Sequence, residues 1–232
     1  MPIQYRHSSL ATAGHERVEF SLEEFKQGIE LHGYYARWAK ASMCPNRDPL
    51  QDDHHRIDCD LCDRNGYIYY DPIEIRTHVT SFGEKQLFMP ESRYDPGTAY
   101  FTTLPEHKIS FWDKIEILTA RARFTQVVKV KNKTYKLKYP ALSIYHIVTS
   151  KNVQIPPETV LVEADGRVTF SAIPPGDFFS ICYLYHPTYI IIDMLHHVRD
   201  SRNTVLTVDQ ELEYPMQAAG RLDFLVRDES KE

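Results

Sequence analysis

The sequence predicts a mainly β protein: a β-barrel-like domain with a short N-terminal helix and a Cys/His knuckle ahead of it, plus a second small β domain. Three observations predict this. From Tyr67 onward the chain breaks into short alternating runs bounded by Pro, Gly or Asp, which is the strand-and-turn rhythm of a barrel or sandwich. The composition is that of a globular protein, with 42% hydrophobic and 25% charged residues and a mean hydropathy of -0.44, so neither disorder nor a coiled coil is favoured. Aromatic content is high, with 15 Tyr and 11 Phe against 9 Gly. Tyrosine in that quantity suits half-buried strands and surfaces that meet partners, because the ring is buried while the hydroxyl stays wet. At 232 residues the chain can bury a core without disulfide staples, as one large β domain or two small ones.

Residues 1–20 are polar and aperiodic and read as an extended arm, of the kind that packs on neighbours, or a loose lead-in. Ser21-Leu22-Glu23-Glu24 is a capping box, Leu22, Phe25 and Ile29 share one face, and Gly33 supplies a stop, so a helix is expected over 22–32. YYARWAKASM (34–43) carries mixed signals and reads as a first strand, and a cysteine-containing segment follows over 44–66. Strands are then expected over 67–70, 75–82, 85–89, 98–102, 114–118, 121–130 and 141–149, enough for one closed barrel. Hairpin turns are expected at Phe82-Gly83-Glu84 and at Lys131-Asn132-Lys133, and a tight turn at Phe111-Trp112-Asp113. SKNVQIPP (150–157) reads as a junction, because the double proline disfavours helix and interrupts strand pairing. Beyond it lie strands over 159–164 and 166–170 around the turn Ala164-Asp165-Gly166, then 177–185 and 188–198, and a tail in which Leu222, Phe224 and Leu225 add one packed strand. The expected organisation is therefore 1–66 for arm, helix and knuckle, 67–150 for a β-barrel domain, and 151–232 for a second β domain with its tail.

Net charge is -5 with a pI near 6.1, and no Lys or Arg run exceeds two residues. Nucleic-acid binding through phosphate neutralisation is therefore disfavoured, since it needs a clustered basic footprint, and DNA is expected at most as a passenger along an acidic wall. The N-terminal segment has no basic stretch followed by an apolar one, and no run of 18 apolar residues occurs later, so the chain is expected to be made in the cytoplasm and to meet no membrane. Of the four cysteines, Cys182 lies in the apolar run FFSICYLY and reads as a small core residue. Cys44, Cys59 and Cys62 lie in one polar segment, a pattern of metal binding or free thiols rather than disulfides. Cys59-x-x-Cys62 offers two thiolates in a tight turn, Cys44 a third, and Asn65-Gly66 tolerates the sharp turn that must follow. A tetrahedral structural zinc site needs one more ligand, and His54 and His55 lie inside the loop, with His55 preferred by its His-x-x-x-Cys spacing. The other reading is a reduced loop whose metal site has decayed. His196 and His197, with Asp193 and Arg199 nearby, are adjacent on an expected strand and point to opposite faces, so they read as surface residues. The known nucleophile, phosphate-loop, zinc-protease and dinucleotide motifs are missing, and no enzyme activity is expected.

A helix ending in His32-Gly33, the run Cys59-x-x-Cys62-Asp-Arg-Asn-Gly66-Tyr-Ile-Tyr, then Gly97-Thr-Ala-Tyr-Phe-Thr-Thr before Asp113-Lys-Ile, together resemble the neck proteins of tailed bacteriophages. These form the head-closure or head-to-tail connector class, and the likeness spans roughly residues 25 to 200. In the family pattern Cys44-Pro45 is followed by a second cysteine, where this chain has Asn46. The resemblance implies a virion structural protein built on a β-barrel, forming a homo-oligomeric ring between the portal and the tail and enclosing the DNA channel. Other neck, portal or tail proteins would be its partners, and its places would be the virion and, during assembly, the host cytoplasm. A different class is a zinc-knuckle β-barrel binding module that recognises protein or single-stranded nucleic acid.

Overall fold

A computed structural model describes residues 22–46, 59, 61–62, 66–81, 97–194, 200–202, 211–213 and 215–228. The expected arm, the strand at 85–89, the turn at Phe82-Gly83-Glu84, and His54, His55, His196 and His197 lie outside them. The chain is mainly β. Helix α1 (Leu22–His32) leads into β1 (Tyr34–Met43), β2 (Tyr67–Ser81), β3 (Thr98–Thr103), β4 (Lys114–Ile117), β5 (Ala122–Lys129), β6 (Thr134–Tyr135), β7 (Ser143–Thr149) and β8 (Gln154–Ile155). Then come β9 (Val160–Val162), β10 (Val168–Phe170), β11 (Phe178–Tyr185), β12 (Thr188–Met194), β13 (Asp200–Arg202), β14 (Glu211–Glu213), β15 (Met216–Leu222) and helix α2 (Asp223–Asp228).

Six strands close a barrel in the order β1-β2-β3-β15-β12-β4. Alternation builds it, since residues two apart on a strand share a face. Ala36 and Trp38 from β1, Ile75 from β2, Ala99 and Phe101 from β3, Ile115 and Ile117 from β4, Ile191 from β12 and Ala218 from β15 all point inward to one core. Gly220 lies on the same wall, where an added Cβ would come within 2.7 Å of the Phe101 ring. The barrel is therefore packed solid at this level. β2 runs unbroken through Pro72 with Asp71 at φ 46, and its register against β1 shifts between Trp38 and Lys40. A bulge absorbs the proline that the sequence reading took as a strand break.

The other β unit is inserted between β4 and β12. A four-stranded sheet, β5-β11-β7-β8, and a three-stranded sheet, β6-β10-β9, enclose a second core of Tyr135, Ile147, Val168, Phe170, Phe179, Ile181, Tyr183 and Tyr185. Phe224 from α2 packs on this core, and the Tyr139 hydroxyl donates to Asp223 Oδ2 at 3.0 Å, so α2 ties the inserted unit to the end of barrel strand β15.

Pairing thus groups the strands differently from a division at residues 66 and 150. β1 belongs to the barrel, and β5, β7 and β8 share a sheet with β11. SKNVQIPP forms the tight β7–β8 turn, with Thr149 N–H donating to Val153 O at 3.0 Å, so its prolines end a hairpin rather than separate two sheets. Lys131-Asn132-Lys133 carries the chain from one sheet of the insertion to the other, since β6 pairs with β10 and not with β5. In the tail the expected strand around Leu222, Phe224 and Leu225 is instead the end of β15 followed by α2. Cys182 is half-buried, because the core positions of β11 are its neighbours Ile181 and Tyr183.

Candidate metal centre

Cys44 follows the last residue of β1, and Tyr67 opens β2 directly opposite Met43. The excursion between them closes through a hydrogen bond from Cys44 N–H to Gly66 O at 2.9 Å, and Gly66 takes φ 73, a conformation natural to glycine. That closure brings the two parts of the cysteine segment together at one rim of the barrel. Cys44, Cys59 and Cys62 are all buried, with Ile68 against them. Their sulfur atoms lie within 4.8 Å of one another, and Cys44 Sγ is 3.7 Å from Cys59 Sγ. At a Zn–S distance of about 2.3 Å the edge of a tetrahedron is about 3.8 Å. The three thiols have the spacing and softness of a metal site and could bind a metal ion.

Asn46 is at this cluster. Its side-chain N–H donates to Cys59 Sγ at 3.4 Å. That bond, with help from backbone N–H groups at Leu61 and Cys62, holds the Cys59 thiol down at about 6 against desolvation. Burial pushes the Cys44 thiol up. The set thus joins a Cys59 thiol held low to a Cys44 thiol held high, which a bound cation would favour as thiolate. His55 and His54, the expected fourth ligands, lie outside the described residues.

The rim is braced from below by Asp113, which precedes β4. Asp113 is buried. Its Oδ2 accepts from Trp38 Nε1 at 2.8 Å and from Ser110 N–H at 2.9 Å, and its Oδ1 accepts from Ala41 N–H at 2.9 Å. The carboxylate therefore pins the end of β1, which delivers Cys44, to the turn before β4. Trp112 is forced to φ 70 and stacks on Tyr67 with centroids 4.8 Å apart, so that turn also packs on the residue following Gly66. The sequence reading placed a turn here but gave Asp113 no role. Its signal, an aspartate at a turn before a strand, is common to many loops.

No protein-family profile matches this chain, and no curated protein matches it.

Proposed function

We propose that this chain is a structural subunit of the tailed-bacteriophage neck, of the head-closure or head-to-tail connector class. It works without catalysis, as one copy in a homo-oligomeric ring between portal and tail around the DNA channel, made in the host cytoplasm and carried in the virion. The observation that carries the reading is the convergence of Cys44, Cys59 and Cys62 at the rim of a closed barrel. Of the segments that resemble the family, Tyr67-Ile-Tyr opens β2, 97–103 leads into and forms β3, and Asp113-Lys-Ile enters β4 of this barrel, while the helix ending in His32-Gly33 leads into β1. Leu31, Tyr34, Tyr35, Met43, Tyr70 and Ile73 along α1, β1 and β2 are exposed apolar residues of the kind a subunit contact covers.

Zinc is the metal this reading assigns, held by Cys44, Cys59 and Cys62 with His55 as the fourth ligand. Its role is structural, holding together the two ends of the excursion between β1 and β2. Negative-stain imaging and mass photometry of the purified chain test the assembly: rings of several copies are expected, and a monomer at every concentration and in the presence of partner neck proteins would sink the reading. Native mass spectrometry tests the metal. One zinc per chain is expected, lost in Cys59→Ser.

A further inference from the structure

Between Glu116 and Glu158 the chain contains no Asp or Glu. That stretch holds eight of the 27 Lys and Arg, which leaves 19 to face all 32 carboxylates elsewhere. Seven of the eight fall in 121–138: Arg121, Arg123, Lys129, Lys131, Lys133, Lys136 and Lys138. An acidic protein thus carries one strongly basic strip. No cationic run exists there because other residues separate the charges, and the two within β5, Arg123 and Lys129, fall on the same face of the strand.

The fold turns that pattern into a surface. β5 alternates strictly, with Ala122, Phe124, Gln126 and Val128 turned toward the insertion core and Arg123, Thr125, Val127 and Lys129 exposed. Arg121, Lys131, Lys133, Lys136 and Lys138 are exposed too. Lys138 folds back beside the strand, its Nζ 5.9 Å from the Phe124 ring centroid, and its backbone N–H donates to the Gln126 side chain. The Arg123 guanidinium carbon lies over the exposed Tyr145 ring, 4.3 Å from its centroid. β5 is an edge strand, paired with β11 on one side and with no other strand among the described residues. The nearby carboxylates include Asp177, whose backbone oxygen accepts from Val130 N–H and beside which Lys151 packs at Gly176, and Glu163, which accepts from the Thr169 hydroxyl that is itself bonded to Thr134 next to Lys133.

We infer that the exposed face of β5 and the loop into β6 bind the phosphate backbone of nucleic acid without reading sequence. At about 3.3 Å per residue the stretch from Arg121 to Lys131 spans about 33 Å, on the order of one duplex turn, so the cations form a row along which phosphates can run. Five of the seven are lysines. Lysine is depleted in protein–protein interfaces but is an effective point-charge partner for phosphate. The strip also lacks the mixed signs that set register with a protein partner. Guarding a sheet edge against aggregation needs only a charge or two, and Lys131, Lys133 and Lys136 lie beyond the strand itself. The inference stands apart from ring formation, because every cation in it comes from a single copy.

The test is fluorescence anisotropy of the full chain with a labelled duplex of mixed sequence, and with the matching single strand, across a series of salt concentrations. Binding is expected for several unrelated sequences, with log K falling against log salt at a slope of about -4 to -6 for duplex. The triple variant Lys129→Glu, Lys131→Glu, Lys133→Glu should bind at least about tenfold more weakly and flatten the slope by about 3. The milder triple Lys→Gln variant keeps the comparison readable if charge reversal impairs folding, and circular dichroism checks both. No binding at low salt, or binding that both variants leave unchanged, overturns the inference. So does a variant that changes the oligomeric state in the absence of DNA while DNA affinity holds, since the strip would then be a contact between copies.

Discussion

At the residue scale, Asn46 and Asp113 do the local work of the metal centre in different ways. Asn46 acts on one sulfur. Its amide is the main reason the Cys59 thiol is held at about 6, so replacing it removes a donor to the thiolate without removing a ligand. Asn46→Ala should raise the Cys59 thiol and weaken metal binding by roughly tenfold, the usual scale for a lost partner of a ligand. The pH profile of Cys59 alkylation in metal-free protein checks the first, and chelator competition the second. Asp113 acts on the backbone by uniting three donors from separate places, Trp38, Ala41 and Ser110. The cysteines were legible in the sequence because a Cys-x-x-Cys turn announces itself by spacing. Asp113 was not, because its importance arises only when β1, 75 residues away in the chain, folds against it.

At the element scale, alternation was readable and partnership was not. The sequence reading and the structure agree closely on α1 and on the cores of β3, β4, β5, β7 and β11, each of which carries its own period. Two-residue strands such as β6 and β8 are too short to show one. The membership of β1, β12 and β15 in a single barrel depends on pairings between distant segments. The basic strip at β5 escaped a search for consecutive cations because its charges are spaced two or more residues apart, with Arg123 and Lys129 sharing one strand face. Closure of the barrel also leaves its mark on one strand position. At Gly220 a side chain would meet the Phe101 ring at 2.7 Å and Ile191 at 3.3 Å. Gly220→Ala should therefore destabilise by roughly 1–3 kcal/mol through overpacking, measurable as a lower urea midpoint with an unchanged slope.

At the scale of the whole molecule, the insertion core is the one built around buried phenols, Tyr135, Tyr139, Tyr183 and Tyr185. Burial pushes Tyr183 and Tyr185, both in the insertion core, up to about 12 from an ordinary value near 10. The fold therefore favours the neutral phenol. Between about pH 10 and pH 12 the unfolded chain gives up protons that the folded chain keeps, so stability should fall as pH rises through that window and be unaffected by these groups below it. Denaturant midpoints taken across alkaline pH check this, and phenolate absorbance should appear together with unfolding rather than ahead of it. The insertion also has an architectural consequence. The chain leaves the barrel after β4 and re-enters at β12, and these strands are neighbours, with Glu116 opposite Thr188 and Ile117 N–H bonded to Pro187 O at 3.0 Å. Whatever lies between departs from and returns to nearly the same spot, which makes the barrel a socket and the β5–β11 unit a cassette. Replacing 119–186 with a short Gly/Ser turn should leave a soluble barrel that retains the cysteine site, as judged by near-UV circular dichroism and metal stoichiometry, because closing a shorter loop at that spot costs little. The same socket would accept cassettes of other sizes and charges, so the surface a copy presents to its surroundings can be exchanged while the scaffold carrying it stays fixed.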